Sequence, residues 1–171
     1  MALCPRRYRK IPVKYQFLDT LKRENRRFMT VEQDVLYAKE DRIGIMTLNH
    51  AQKLNAITHE MLRTINSIIE DIKNDDKVRA AILTENSKAF SAGTDISDEA
   101  PQTAQVEANL LREKTSTEYR QSIWFFNSIP KPVICGIKGA AVGIVAEFTL
   151  HCDIRIAASS AGWGQVLVLT G

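Results

Sequence analysis

The sequence predicts an α/β fold in which β-β-α units recur. Three observations carry that reading: two short β-rich runs side by side at residues 34–49, an apolar pattern recurring at three and four from Leu62 to Ile72, and buried-type β runs at residues 78–84 and 132–137 set between helical patterns. No strict repeat of residues accompanies this alternation. Only the order of β and α elements recurs.

Each element has a local reason. DVLYAKE is rich in β formers, EDRIG supplies a polar turn with a glycine, and RIGIMTLN is a second apolar run, so the pair predicts a hairpin. Thr58 can cap a helix whose residues Leu62, Ile65, Ile68, Ile69 and Ile72 share one face, and the polar cluster NDDK ends it. Residues 78–84 return as a short buried strand. After a loop containing GTDISDEAPQ, a long helical pattern spans residues 104–128, with Leu110, Leu111, Ile123 and Phe126 on its inner side. Pro130 and Pro132 break it, and PVICGI predicts a strand covered on both faces. Gly139 and Gly143 bracket a loop, a helix covers residues 143–151, and DIRIAA is the last readable strand.

Composition bounds the function. A chain of 171 residues, 44% apolar and 25% charged, has the makings of one globular core. The apolar stretch at residues 132–150 is broken by Lys138, several glycines and Glu147, so no membrane span is expected. Cys4, Cys135 and Cys152 lack metal-ligand spacing, and no secretory leader opens the chain; reduced thiols in a cytoplasmic setting are expected. Charge is uneven: residues 1–30 carry nine Lys or Arg against Asp19 and Glu24, a surplus of seven in a chain of net charge +3. That arm reads as a solvated basic extension, with organellar targeting as the alternative. Charge alone would allow such an arm to contact RNA, but a solvated extension accounts for it and no nucleic-acid partner is expected.

Three segments carry the chemistry: NHAQKLNAIT, then KAFSAGTDI at residues 88–96, then KPVICGIKGAAVGIVAEFTLHCDIRIAASSAGWG at residues 131–164. Together and in this order they resemble the enoyl-CoA hydratase/isomerase (crotonase) superfamily, over about residues 33–171. The resemblance implies a crotonase-like (ClpP/crotonase) spiral of repeated ββα units, with residues 31–171 as the acyl-CoA-binding core. It implies an acyl-CoA thioester substrate, no metal, no cofactor beyond the coenzyme A of that substrate, and assembly into homo-trimers or hexamers.

A thioester that loses an α-proton passes through an enolate, and the charge gathering on its carbonyl oxygen needs fixed donors. By resemblance those are the backbone N–H groups of Thr94 and Ile144, the second at a helix start where unpaired N–H groups and the dipole favour an anion. The resemblance places Lys53, Ala56, Ala92, Gly93, Asp95, Ile96 and Gly143 along the substrate, with Leu54 and Asn55 also beside the coenzyme. Glu147 is the most informative residue, because a carboxylate inside GIVAEFTL interrupts an apolar helix. Burial would cost stability unless it works, and its side chain leans back toward Ile144. The resemblance makes it the first of the hydratase's two catalytic glutamates; a structural Glu bonded to backbone or to Arg155 is the alternative.

Two departures matter. Where hydratases carry a second glutamate this chain has Leu167, and Ile144 replaces the usual glycine. One remaining acid/base favours proton shuttling or another enolate reaction, with a CoA-thioester hydrolase or an acyl-CoA-binding pseudoenzyme as alternatives. His151, Cys152 and Asp153 are adjacent and point different ways, which argues against a cysteine nucleophile; Asp153 and Arg155 are expected to pair on one strand face. The final VLVLTG reads as an interrupted fold, incomplete at the C-terminus.

Overall fold

A computed structural model describes residues 33–95, 117 and 120–164. The chain divides into two units, Met1–Val31 and Glu32–Gly171, and the described residues belong to the second. The basic arm, Ile96, Leu110, Leu111, Leu167 and the VLVLTG ending lie outside them.

β1 (Val35–Glu40) and β2 (Ile43–Leu48) form the expected antiparallel hairpin. Its turn is made by Asp41 and Arg42, at φ 45° and 70°, the mirror-type geometry that matches strand twist. The glycine expected in that turn sits one residue into β2 instead. A Cβ on Gly44 would stand 3.1 Å from Ile72 Cγ1 and 3.2 Å from the Tyr37 hydroxyl, so close packing against the following helix is its role.

That helix, α1 (His59–Asn74), begins where Thr58 accepts a hydrogen bond from Met61 N–H. Its stripe of Met61, Leu62, Ile65, Ile68, Ile69 and Ile72 is buried, each large side chain contributing about 1.5–3 kcal/mol. Lys131 donates from its ammonium to the carbonyls of Ile72 and Asp75 at 2.6 and 2.7 Å, satisfying the far end of the helix. β3 (Ala80–Glu85), a helical stretch at residues 120–127 (α2) and β4 (Val133–Ile137) follow. Phe126 of α2 is buried, its ring centroid 5.1 Å from that of Phe148, while Trp124 is 67% exposed. β5 (Ala140–Val142), α3 (Ile144–Leu150), β6 (Ile154–Ala157) and β7 (Gly162–Gly164) complete the described elements.

The main sheet runs β1-β2-β3-β4-β6, parallel from β2 onward, and a second sheet pairs β5 with β7. Register lines up Met46, Leu83 and Cys135 on the face toward α1. On the opposite face lie Ile45, Ile82, Ile134 and Ile154, and burial fades along that row until Ile154 is 51% exposed. PVICGI is therefore deeply covered on one face only, with Ile134 and Gly136 half-buried. β5 also corrects an expectation: Gly139 and Gly143 bracket a strand, not a loop. Three small residues gave no periodic signal, and their partners β7 and Ser91 are remote in sequence. No helix among the described residues is long and apolar enough to cross a membrane.

Candidate active site

The three segments singled out in the sequence meet behind the C-terminal ends of β2, β3 and β4. After β2 the chain makes a 3-10 turn, Ala51–Lys53, and then places Leu54 and Asn55 in the left-handed region at φ 52° and 56°. Two successive residues there cost energy unless their surroundings hold them. Asn55 supplies that hold. It is fully buried, and its side-chain amide donates toward Ser87 Oγ, the Ala89 carbonyl and the Phe90 carbonyl at 3.0–3.1 Å. Expected beside the coenzyme, Asn55 faces inward. Its neighbours keep other company: Ala56 is buried, Leu54 is half-exposed, and Lys53 pairs through its ammonium with the buried Asp95 carboxylate at 2.7 Å.

Segment 88–95 is zipped to residues 54–57. Ala92 N–H donates to the Leu54 carbonyl, Ile57 N–H to Gly93, and Asp95 N–H to Ile57, all at 2.7–3.0 Å. Because the Gly93 carbonyl is turned toward Ile57, the N–H of the same trans peptide, which belongs to Thr94, points the other way. Ala92 is exposed, Gly93 buried and Thr94 half-buried. On the third segment, Gly143 caps α3 at φ 61°, ψ −134°, a conformation suited to glycine. Its carbonyl accepts from Ala146 N–H, so the Ile144 N–H points out of the helix start. Gly93, at φ 99°, and Gly143 lie back to back: a Cβ on Gly143 would stand 3.6 Å from Gly93 Cα. Among the described residues neither the Thr94 nor the Ile144 N–H has an acceptor. Two free donors, each following a positive-φ glycine, are thus carried by adjoining backbones.

Glu147 stands one turn into α3 from Ile144 and is half-buried, less enclosed than the apolar pattern around it implied. The expected pairing of Asp153 with Arg155 does not form. Asp153 accepts from Val133 N–H at 2.8 Å, and Arg155 donates to the carbonyls of Thr149, Leu150 and Cys152, closing the C-terminal end of α3, where unpaired carbonyls offer more than one exposed carboxylate. His151 contacts Asn127 Oδ1 at 3.0 Å, while Cys152 is buried with its thiol toward the Phe148 carbonyl. No His–Cys relay results. Cys152 also hydrogen-bonds Cys135, which together with burial pushes the Cys135 thiol upward.

Two buried polar residues escaped sequence reasoning. Glu85, at the end of β3, accepts from the N–H groups of Lys138 and Gly139 at 2.6 and 3.2 Å. Burial raises its carboxyl above the usual range, against the lowering pull of those donors. Ser91 is fully buried and donates to the Asn55 carbonyl at 2.6 Å. The visible signal for both was a polar residue closing an apolar run, in AAILTE and in KAFSAG. Among the described residues no group of three or more His, Cys, Asp or Glu could hold a metal ion.

Residues 38–171 match the sequence family described as enoyl-CoA hydratase/isomerase. The chain is 35% identical over 140 residues to the short-chain-enoyl-CoA hydratase of Clostridium acetobutylicum, covering 77% of this chain and 49% of that protein. It is 32% identical over 123 residues to the (E)-benzylidenesuccinyl-CoA hydratase of Thauera aromatica, covering 71% and 46%. Among solved structures, an enoyl-CoA hydratase from Shewanella pealeana superposes with a TM-score of 0.74 at 26% identity, covering 82% of this chain and 52% of that one. This chain thus spans about half the length of the relatives it matches.

Proposed function

Because the chain belongs to the enoyl-CoA hydratase/isomerase (crotonase) family, we propose that it acts on an acyl-CoA thioester through an oxyanion-stabilised enolate, with Glu147 as the acid/base. The observation that carries this reading is the back-to-back placement of Gly93 and Gly143, with the Thr94 and Ile144 N–H groups on adjoining backbones and without an acceptor among the described residues. A thioester oxygen received between them would gain two donors, each worth about 2.7–4 kcal/mol as negative charge develops.

Glu147, three residues beyond Ile144, leans toward the same end of α3. With the carbonyl oxygen held, its carboxylate can take a proton from the carbon next to the thioester. The electron pair moves into the enolate, and the same carboxyl group returns the proton, at the original carbon or, when a neighbouring double bond extends the enolate, two carbons further on. One carboxylate suffices for that shift of a double bond. Direct addition of water asks for a second group, and Leu167 stands where the resemblance expects it. Proton shuttling is therefore the reaction this residue set supports best. Lys53, held over the buried Asp95 carboxylate, offers a cation for the coenzyme's phosphates.

The test compares the chain with Glu147→Gln by calorimetry with crotonyl-CoA and by spectroscopic turnover of 3-enoyl-CoA and crotonyl-CoA. Turnover falls by about 10²–10⁴-fold while affinity stays within a few-fold. A variant that keeps its turnover removes Glu147 from the mechanism. A wild-type chain that binds without turnover marks an acyl-CoA-binding protein instead.

A further inference from the structure

We propose that Ser91 is a positioning residue that sets the orientation of the two oxyanion donors, an inference that rests on the roles assigned above to Thr94 and Ile144. The hydrogen bonds of Ser91, which lies in the second segment, reach both of the other two. Its hydroxyl donates to the Asn55 carbonyl at 2.6 Å and accepts from Gly93 N–H at 3.1 Å. The backbone N–H donates to the Ala140 carbonyl and the backbone carbonyl accepts from Val142 N–H, both at 3.0 Å. Asn55 anchors the first segment, Gly93 precedes Thr94, and Val142 stands two residues before Ile144. One fully buried serine thereby ties the turn that presents one donor to the strand β5 that leads into the helix start presenting the other.

The four bonds divide by what a substitution removes. In Ser91→Ala the two backbone bonds to β5 remain, so the sheet contact survives. The two hydroxyl bonds vanish, leaving the Asn55 carbonyl and the Gly93 N–H buried and unmatched, a state that costs free energy until something rotates. Gly93 offers the least resistance, because glycine at φ 99° has other conformations open to it. Any rotation there reorients the peptide that carries Thr94 N–H. Catalysis is thus the first property to suffer and binding of the coenzyme the last, since misplacing a group by about 1 Å is enough to cost on the order of 10²-fold in rate.

The experiment uses the 171-residue chain and a conjugated aryl-acryloyl-CoA, whose absorption moves to longer wavelength when its carbonyl is polarised. Spectra of the bound probe are recorded for wild type, Ser91→Ala and Glu147→Gln, with affinities by calorimetry and kcat and KM for the turned-over enoyl-CoA. Expected for Ser91→Ala are an affinity and KM within about threefold of wild type, loss of most of the red shift, and a kcat lower by on the order of 10–100-fold. Glu147→Gln keeps the red shift and loses kcat. A full red shift and full kcat in Ser91→Ala overturn the positioning role while leaving the oxyanion reading intact. Absence of a red shift in the wild type overturns the oxyanion reading itself, and this inference with it. Should Ser91→Ala not melt cooperatively, Ser91→Cys carries the same comparison, since it fills the site with a much weaker donor and acceptor.

Discussion

Replacing Gly139 with alanine tests how tightly the second and third segments of the candidate site are pressed together. A Cβ there would overlap the Lys88 carbonyl oxygen and lie 2.7 Å from Ala89 Cα and 2.9 Å from the Lys88 carbonyl carbon. All three are backbone atoms, so no side chain can swing aside. The loop at residues 88–90 must retreat by about 1 Å, an overpacking cost of about 1–3 kcal/mol. The retreat also strains bonds that the Ala89 carbonyl accepts from Asn55 Nδ2 and Ser87 Oγ at 3.1 and 2.7 Å, each worth about 1 kcal/mol. Together these give a loss of about 4 kcal/mol, or roughly 8–16 °C in Tm for a domain of this size. Differential scanning calorimetry and urea denaturation measure both quantities. Gly162→Ala is the control, since a Cβ there meets nothing within 4 Å; its stability stays within about 0.5 kcal/mol of wild type. If Gly139→Ala melts within about 2 °C of wild type, the close apposition of these two loops is wrong, and with it the geometry from which the donors were read.

Other predictions follow from single contacts. Thr58→Ala removes the side-chain acceptor for Met61 N–H and lowers stability by about 1 kcal/mol in urea titration, whereas Thr58→Ser retains it; equal losses in the two variants would mean the cap contributes nothing. Ile69→Ala empties a fully buried site on α1 and costs about 2–5 kcal/mol; a loss below about 1 kcal/mol would place α1 away from the core. For Glu85, whose carboxyl is raised by burial, the protonated form is the one the fold favours. Its contribution is therefore fully present below the ordinary carboxylate range and is lost as pH rises through the folded value. Glu85→Gln, which cannot ionise, accordingly gains on wild type as pH rises from 4 to 8, and a difference that shrinks with pH contradicts the assignment.

Much of this was legible because the relevant signals were periodic. The stripe from Leu62 to Ile72 reports burial directly, since its spacing keeps one helix face apolar, and the apolar run in IGIMTL carries buried residues on both faces of its strand. The glycines of the site were legible as glycines, and Gly93 and Gly143 do carry positive φ. What could not be read was which partner each small or polar residue would meet. Gly44 looked like a turn residue because it stands next to the turn, yet its role comes from Ile72, 28 positions on. β5 is three residues long and paired to β7, so no window of sequence contains its reason to exist. Arg155 was matched to the nearest carboxylate in sequence, whereas the end of α3 offers it three carbonyls. Glu147 was read as buried from its apolar neighbours, but α3 is only seven residues long and leaves that position half-covered. For Gly44 and β5 the deciding contact is distant along the chain, whereas for Arg155 and Glu147 it lies close by and is set by where α3 ends.

The contact between Cys135 and Cys152 gives the fold a built-in clock. One thiol sits on β4, beside the edge strand β6, and the other lies two residues past the end of α3, and both are shut off from solvent at 0% and 3% exposure. With Cys4 replaced by serine, alkylation by a small electrophile can proceed only when the core around these two thiols opens. Trapping rates followed against urea then report that opening, and their ratio to rates in the fully denatured chain measures its free energy without any enzymatic assay.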